Sequence, residues 1–255
     1  MIYLKSASEI EKMKEAGRIV YNTFEILREQ IKPGVSTAQL NKIAKDYILS
    51  QNATPSFLNY SGYPASICAS VNDTVIHGIP SHKIILKEGD IISLDIGAYK
   101  NGYHADAART YPVGKISAEA QRLIDVTKQS FFEGLKYAFH GERLGSLQAA
   151  IQNHVESNGF SIVRNYCGHG VGRSLHESPE IPNHGTAGRG IRLSKGMTIA
   201  VEPMVNYGGA ETYCTSDSWT VKTKDKSLAA HYENTILITS GEPVLLTDYS
   251  EEMQI

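Results

Sequence analysis

The chain has 255 residues, 41% hydrophobic and 20% charged, a balance that suits one compact globule or two tightly fused lobes. Its formal charge of −2 gives no electrostatic case for a nucleic-acid or membrane-surface partner, and no apolar run approaches the roughly 18 residues that span a bilayer. The N-terminus alternates charged with apolar residues, unlike a signal peptide, and three scattered cysteines (Cys68, Cys167, Cys214) imply no disulfide framework, so a reducing cytoplasm is expected.

Residues 10–30 carry Ile10, Met13, Ile19, Val20, Phe24 and Leu27 at helical spacing, and KPGVS punctuates their end. Ser36 or Thr37 can cap a second helix that runs to about Ser50. Strand-like runs follow: ASICASV, then DIISLDIGAY and YHADAARTY on either side of Asn101-Gly102, a strong hairpin signal. Helical periodicity returns over 117–137 and 144–157. FSIVRNY, a Gly-rich loop, MTIAVEPMV, SWTVKT and HYENTILIT complete the chain, and all but the loop are rich in β-formers.

Two stretches match two others at a common offset of 107 residues: KPGVSTAQLNKIAKDYI with FHGERLGSLQAAIQNHV, and LKEGDIISLDIG with LSKGMTIAVEPM. A shared offset predicts duplication, hence a single domain made of two α+β halves, about 10–112 and about 117–240. The second match pairs Asp95 with Glu202, which would then face a shared cleft.

Asp95 interrupts the apolar run IISLDIGA, where an unpaired carboxylate is costly. A two-residue turn at Asn101-Gly102 sets Asp95 opposite Ala108 and makes Asp106 its diagonal neighbour on the same face, within about 7–8 Å. Like charges so placed repel unless a cation or a shared proton lies between them. Glu202 and Glu233 are further carboxylates inside strand-like runs. Any one of the four read alone fits a solvated edge-strand acid. A proton-sharing dyad explains Asp95 and Asp106 but leaves the two glutamates unused, whereas a metal site uses all four.

The Gly-rich loop, NYCGHGVGRSLHESPEIPN, holds two histidines. GHGVGR fails the dinucleotide pattern because Arg173 stands at the third glycine, HESPE fails as a zincin helix because of Pro179 and Glu180, and no G-x-S-x-G elbow is present. His169, between Gly168 and Gly170, remains as one nitrogen ligand beside four carboxylates. Four negative charges match two divalent cations, and oxygen donors with one nitrogen suit manganese, iron, cobalt or zinc alike. His77 and His176 are left for substrate binding or proton transfer.

At these residues the chain resembles the type I methionine aminopeptidases of bacterial kind, within the M24 peptidase family. The resemblance runs from LKSASEIEKMKEAG through VNDTVIHGIP, LKEGDIISLDIG, GYHADAARTYPVG, YCGHGVGRSLHESPEIPN and KGMTIAVEPMV to YENTI, nearly the whole chain. It implies the duplicated pseudo-twofold pita-bread fold, an α+β architecture with a central antiparallel sheet backed by helices. It also implies a metal-dependent aminopeptidase that removes the initiator methionine from newly made proteins when the second residue is small.

Residue by residue, the resemblance makes Asp95, Asp106, His169, Glu202 and Glu233 the ligands of two divalent ions, with Asp106 and Glu233 bridging. It puts His77 on the scissile amide or leaving group, His176 on the carbonyl oxygen and Glu202 in a proton relay. Phe57, Tyr60, Tyr63, Cys68, Leu175 and Trp219 match the methionine side-chain pocket, a composition suited to a thioether. Asn72 and Thr74 match a monovalent-cation site. The implied partners are nascent polypeptide N-termini, with the ribosome as a docking candidate, for a monomer that binds neither membrane nor nucleic acid. Three departures stand out: Asn234 where histidine is usual, His184 where an aromatic is usual, and Ala105 where glycine is commoner. Two alternatives remain open on the same fold, a proline-specific aminopeptidase and a non-catalytic binding protein.

Overall fold

The structure, a computed structural model, describes residues 1–249. Helix α1 (Ala7–Arg28) starts ahead of Ile10 because Ser6 and Glu9 form a capping box, with the Ser6 N–H on Glu9 Oε2 at 2.9 Å. A second box, between Ser36 and Gln39, starts α2 (Thr37–Ser50). Four strands follow, β1 (Thr54–Pro55), β2 (Cys68–Val71), β3 (Thr74–Ile76) and β4 (Ile91–Lys100). The turn at Asn101-Gly102, with φ +52° and +88°, folds β4 onto β5 (Tyr103–Pro112). Helices α3 (Ala118–Leu135) and α4 (Leu144–Ser157) open the second half of the chain. After them come β6 (Ser161–Ile162), β7 (Cys167–Gly170), β8 (Glu177–Pro182), β9 (Thr198–Val201) and β10 (Met204–Asn206). The last strands are β11 (Thr212–Cys214), β12 (Val221–Thr223), β13 (Ala229–His231), β14 (Glu233–Leu237) and β15 (Val244–Leu245).

The main sheet orders its strands β1-β4-β5-β14-β9-β7-β8, with β2 added to β4 and β15 to β14, all antiparallel. One face is covered by helices. Phe24, Leu27, Leu40 and Ile48 of α1 and α2 pack with Ile92, Leu94 and Ile96 of β4. Leu123, Phe131, Leu147 and Ile151 of α3 and α4 pack with Ile199, Val201 and Ile236. Because side chains alternate along a strand, the odd-numbered residues of β4, Asp95 among them, must point to the other face. The face opposite the helices is therefore where the site forms.

The two halves repeat in geometry. Helix α4 begins and ends 107 residues after α2. The Gly34 N–H donates to Leu86 O at 2.8 Å, and the Gly141 N–H donates to Leu193 O at 2.9 Å. Both glycines hold a positive φ, +91° and +93°, that a side chain would strain. This is the pseudo-twofold α+β arrangement that the resemblance implies.

The Gly-rich segment differs from the loop expected of it, since much of it is β7 and β8. A Cβ on Gly168 would lie 2.2 Å from Ala200 O, and one on Gly170 would lie 2.4 Å from Ser178 O. Those glycines let β7 press between β9 and β8, so a composition that reads as loop folds as strand. HYENTILIT likewise divides into β13 and β14 at Tyr232.

Candidate metal centre

The sheet register builds the centre. Cys68 pairs with Asp95, Asp95 with Ala108, and Ala108 with Glu233, giving one cross-strand row on the face away from the helices. Asp106 pairs with Gly97 and shares that face. Glu202 follows the end of β9, whose Val201 pairs with Asn234, and so falls level with Glu233. His169 comes from β7, hydrogen-bonded to the far side of β9. In the middle of the row Ala108 has only a methyl group, which leaves the space between Asp95 and Glu233 open.

His169 Nε2 stands 3.9 Å from Asp106 Oδ2 and 3.7 Å from Glu202 Oε1. Donor atoms of Asp106, His169 and Glu233 all lie within 4.8 Å of one another. His169 Nδ1 is 2.9 Å from Gly170 O, and a carbonyl only accepts, so Nδ1 carries the hydrogen and Nε2 presents its lone pair to the acids. Burial, reinforced by the neighbouring His176, pushes the His169 pKa down to about 3 and keeps the ring neutral.

The acids respond the opposite way. Burial pushes Asp95 up to about 7, with hydrogen bonds from Asp106 and Cys68 pulling it back. Burial and then the charges of Asp95 and Glu202 hold Asp106 well above its ordinary range, and burial does the same to Glu202 and Glu233. Asp95 Oδ1, Asp106 Oδ1 and Glu233 Oε1 are buried without a hydrogen-bond partner among the described residues. Orphaned carboxylate oxygens facing an imidazole lone pair are repulsive unless a cation or protons fill the space. The donor set, four carboxylates and one neutral imidazole, fits divalent cations. A proton shared between Asp95 and Asp106 would satisfy only that pair.

A pocket rises from this floor. Phe57, Tyr63, Cys68 and Leu175 form a buried apolar cluster, with Trp219 packed against it. Tyr63 meets Trp219 edge-on at 5.1 Å, and its hydroxyl is tied to the Gly78 and Ile67 carbonyls, so its ring rather than its polar tip faces the cavity. Gly97 admits Phe57, because a Cβ there would lie 2.9 Å from Phe57 Cε1. His77, at φ +57°, enters from another wall and meets Trp219 at 6.2 Å; burial lowers its pKa to about 4. His176 sits beside His169 with ring centroids 4.1 Å apart, and its Nδ1 is 2.7 Å from Tyr60 Oη at the exposed mouth. All thirteen residues singled out as ligands, substrate histidines or pocket wall line this one cavity.

Ile76, Tyr166 and Cys167 also line it, and sequence reasoning passed them over. It also missed the groups that hold the ligands. Thr235 Oγ1 accepts the Asp106 N–H and donates to Asp106 O, and Asn183 Nδ2 donates to Glu202 O. Arg109 donates to Glu233 O and Asn234 Oδ1. The i, i+2 spacing of Glu233 from Thr235 was the available signal. Of the three departures, Asn234 points to the helix face with Arg109 and Thr247 instead of bracing the Glu233 carboxylate. Ala105 is fully buried on that same face, and His184 is not among the residues lining the cavity. The Asn72 side chain bonds Asp90 and the Ile91 N–H, while its carbonyl accepts the Ala229 N–H at 2.8 Å.

The chain is similar to known proteins over nearly its whole length. The family model for metallopeptidase family M24 matches residues 11–240. A methionine aminopeptidase of Clostridium acetobutylicum is 53% identical over 97% of this chain and 99% of its own length. The crystal structure of a methionine aminopeptidase from Thermotoga maritima, 43% identical, superposes with a TM-score of 0.96 over 98% of this chain and 100% of that one. An Xaa-Pro dipeptidase from Bacillus anthracis, 25% identical, reaches a TM-score of 0.77 over 98% of this chain but 63% of its own.

Proposed function

The chain belongs to metallopeptidase family M24, and from that premise we propose how its pocket releases an N-terminal methionine. It is a metal-dependent methionine aminopeptidase, acting on the N-termini of newly made proteins whose second residue is small. The observation that carries the reading is the row of orphaned carboxylates and one imidazole lone pair directly below an aromatic pocket. Asp95, Asp106, His169, Glu202 and Glu233 would hold two divalent ions, cobalt, iron, manganese or zinc. When bound, such ions lower the pKa of a water and polarise a carbonyl.

The chain's own residues do the rest. Phe57, Tyr60, Tyr63, Cys68, Leu175 and Trp219 receive the methionine side chain, whose sulfur packs well on aromatic edges. That placement leaves the free α-amine at the acidic floor, which explains why only a chain terminus fits. With the Tyr60 hydroxyl donating to His176 Nδ1, Nε2–H is free to donate to the substrate carbonyl oxygen as negative charge develops there. His77 binds the scissile amide or the leaving group from the neighbouring wall. Glu202, as a carboxylate, takes the proton of the attacking water and passes it on.

A monovalent cation beside Asn72 and Thr74 belongs to the same proposal. So does the reading of one catalytic domain in two halves, about 10–112 and about 117–240, supported by the recurring Gly34 and Gly141 turns. We place a monomeric enzyme in the cytoplasm, meeting nascent chains at the ribosome; among the described residues no helix is long and apolar enough to cross a membrane.

The test is methionine release from Met-Ala-Ser after chelation and after metal return, beside an Xaa-Pro peptide. Metal-restored cleavage of Met-Ala-Ser alone is expected. Cleavage of only the proline peptide would move the substrate class, and a folded, loaded protein that cleaves neither would be a binding protein.

A further inference from the structure

His231 has no part in the mechanism above, yet its side chain is placed against a residue that does. The residue is 2% exposed, and its Nε2 has no hydrogen-bond partner among the described residues. That atom lies 3.7 Å from Glu202 Oε2, while the other oxygen, Oε1, lies 3.7 Å from His169 Nε2. Two imidazoles thus flank one carboxylate, one at each oxygen. We infer that His231 is the positioning residue of Glu202, donating Nε2–H to Oε2 so that only Oε1 turns toward the metal centre.

Three features support this. First, His231 cannot swing away: its backbone N–H donates to Thr110 Oγ1 and its carbonyl accepts from the same hydroxyl, both at 2.9 Å, which pins it to the strand that carries Asp106. Second, Nε2 is buried and has no other hydrogen-bond partner among the described residues, so a hydrogen there needs an acceptor such as Oε2 to satisfy it. Third, the two flanking nitrogens are chemically different. His169 Nε2 is a lone pair, since its Nδ1 is spent on Gly170 O, and faces Oε1 favourably only across a cation or proton. An N–H at His231 Nε2 meets Oε2 directly, and a small rotation of Glu202 closes the 3.7 Å gap to hydrogen-bond length. The carboxylate then has one oxygen toward the metals and one anchored, so its proton-accepting edge keeps a fixed direction. Partners of this kind to ligating side chains commonly matter 10–100-fold, roughly, in metal affinity or activity.

This rests on the proposed function, and the experiment separates the two. In the zinc-loaded protein labelled with ¹⁵N-histidine, His231 is expected to show a protonated Nε2, and His169 an unprotonated, metal-shifted one. His231→Leu should lower kcat on Met-Ala-Ser by about 10–100-fold with KM within about twofold and zinc stoichiometry unchanged. His231→Gln, whose amide nitrogen reaches the same place, should restore kcat to within about fivefold of the parent. An unprotonated or metal-shifted His231 Nε2 would make it a ligand and overturn the inference. So would a Leu variant as fast as the parent, or a Gln variant as slow as the Leu one. Should the Leu variant not fold, the Gln variant and the tautomer decide alone. A parent protein that releases no methionine sinks the proposed function, and the tautomer then judges His231 by itself.

Discussion

His176 and Asp106 line the same cavity, yet their loss should remove different things. His176 touches the floor only through its ring against His169, and its polar contact is with Tyr60 at the mouth. Its work is donation to an oxygen that gains charge in the transition state. His176→Ala should therefore keep the metal content and lower kcat by about 10²–10³-fold, the usual cost of one such donor. Metal analysis beside steady-state kinetics checks this, and a variant that loses its metal would show the role to be misassigned. Asp106 is 4% exposed, with one oxygen unpartnered and the other facing His169. Asp106→Asn keeps the shape and removes the charge, so calorimetric titration should show metal affinity reduced at least tenfold, or roughly 1.4 kcal/mol. Unchanged affinity and activity would mean that Asp106 is no ligand.

Register, a property of the strands, decides whether these side chains meet. The hairpin was legible because Asn101-Gly102 fixes a two-residue turn, and the structure pairs Asp95 with Ala108 as the turn requires. Helix α2 was legible to within one residue of its cap, since Ser36 and Thr37 were both candidates and Ser36 takes the place. The pairing of β14 with β5 and β9, and of β9 with β7, was not legible from local pattern, since it joins residues far apart in the chain. That is why Thr235, Asn183 and His231 escaped notice although each touches a proposed ligand. The Gly-rich segment misled for another reason: its glycines serve close strand packing as well as turning. Gly168→Ala tests that reading. The added Cβ would lie 2.2 Å from the Ala200 carbonyl, backbone against backbone, with Ile181 close on the other side. We expect a loss of about 2–4 kcal/mol, seen as a fall of roughly 5–15 °C in the melting temperature of the metal-free protein. A variant that melts with the parent would mean that β7 is looser against β9 than the register implies.

At the scale of the whole molecule, the four acids of the site and the imidazoles around them couple folding to pH in opposite directions. The folded-state pKa of Asp95 is raised from 3.8 to about 7, and those of Asp106, Glu202 and Glu233 are also raised, all chiefly by burial. A raised carboxylate contributes stability that is complete below the unfolded value and fades as pH climbs through the folded one. His169 and His231, held near 3, and His77, held near 4, behave conversely: their contribution is complete above 6.5 and is lost as pH falls toward those values. Between about pH 4 and 6.5 the two trends oppose each other; above that the imidazole contribution is complete and only the carboxylate loss continues. The chelated protein should accordingly lose melting temperature as pH rises from about 6.5 through the Asp95 value of about 7. Divalent cations reverse the carboxylate preference, so binding at about pH 6.5 must expel the protons those groups hold. Calorimetric titration in two buffers of different ionisation enthalpy should count at least one proton released, and apparent affinity should rise with pH across that range. The melting temperature gained on loading should widen over the same interval. If binding releases no proton and the gain is flat with pH, the acids are already ionised without a cation, and repulsion within the row is relieved by some means other than a metal.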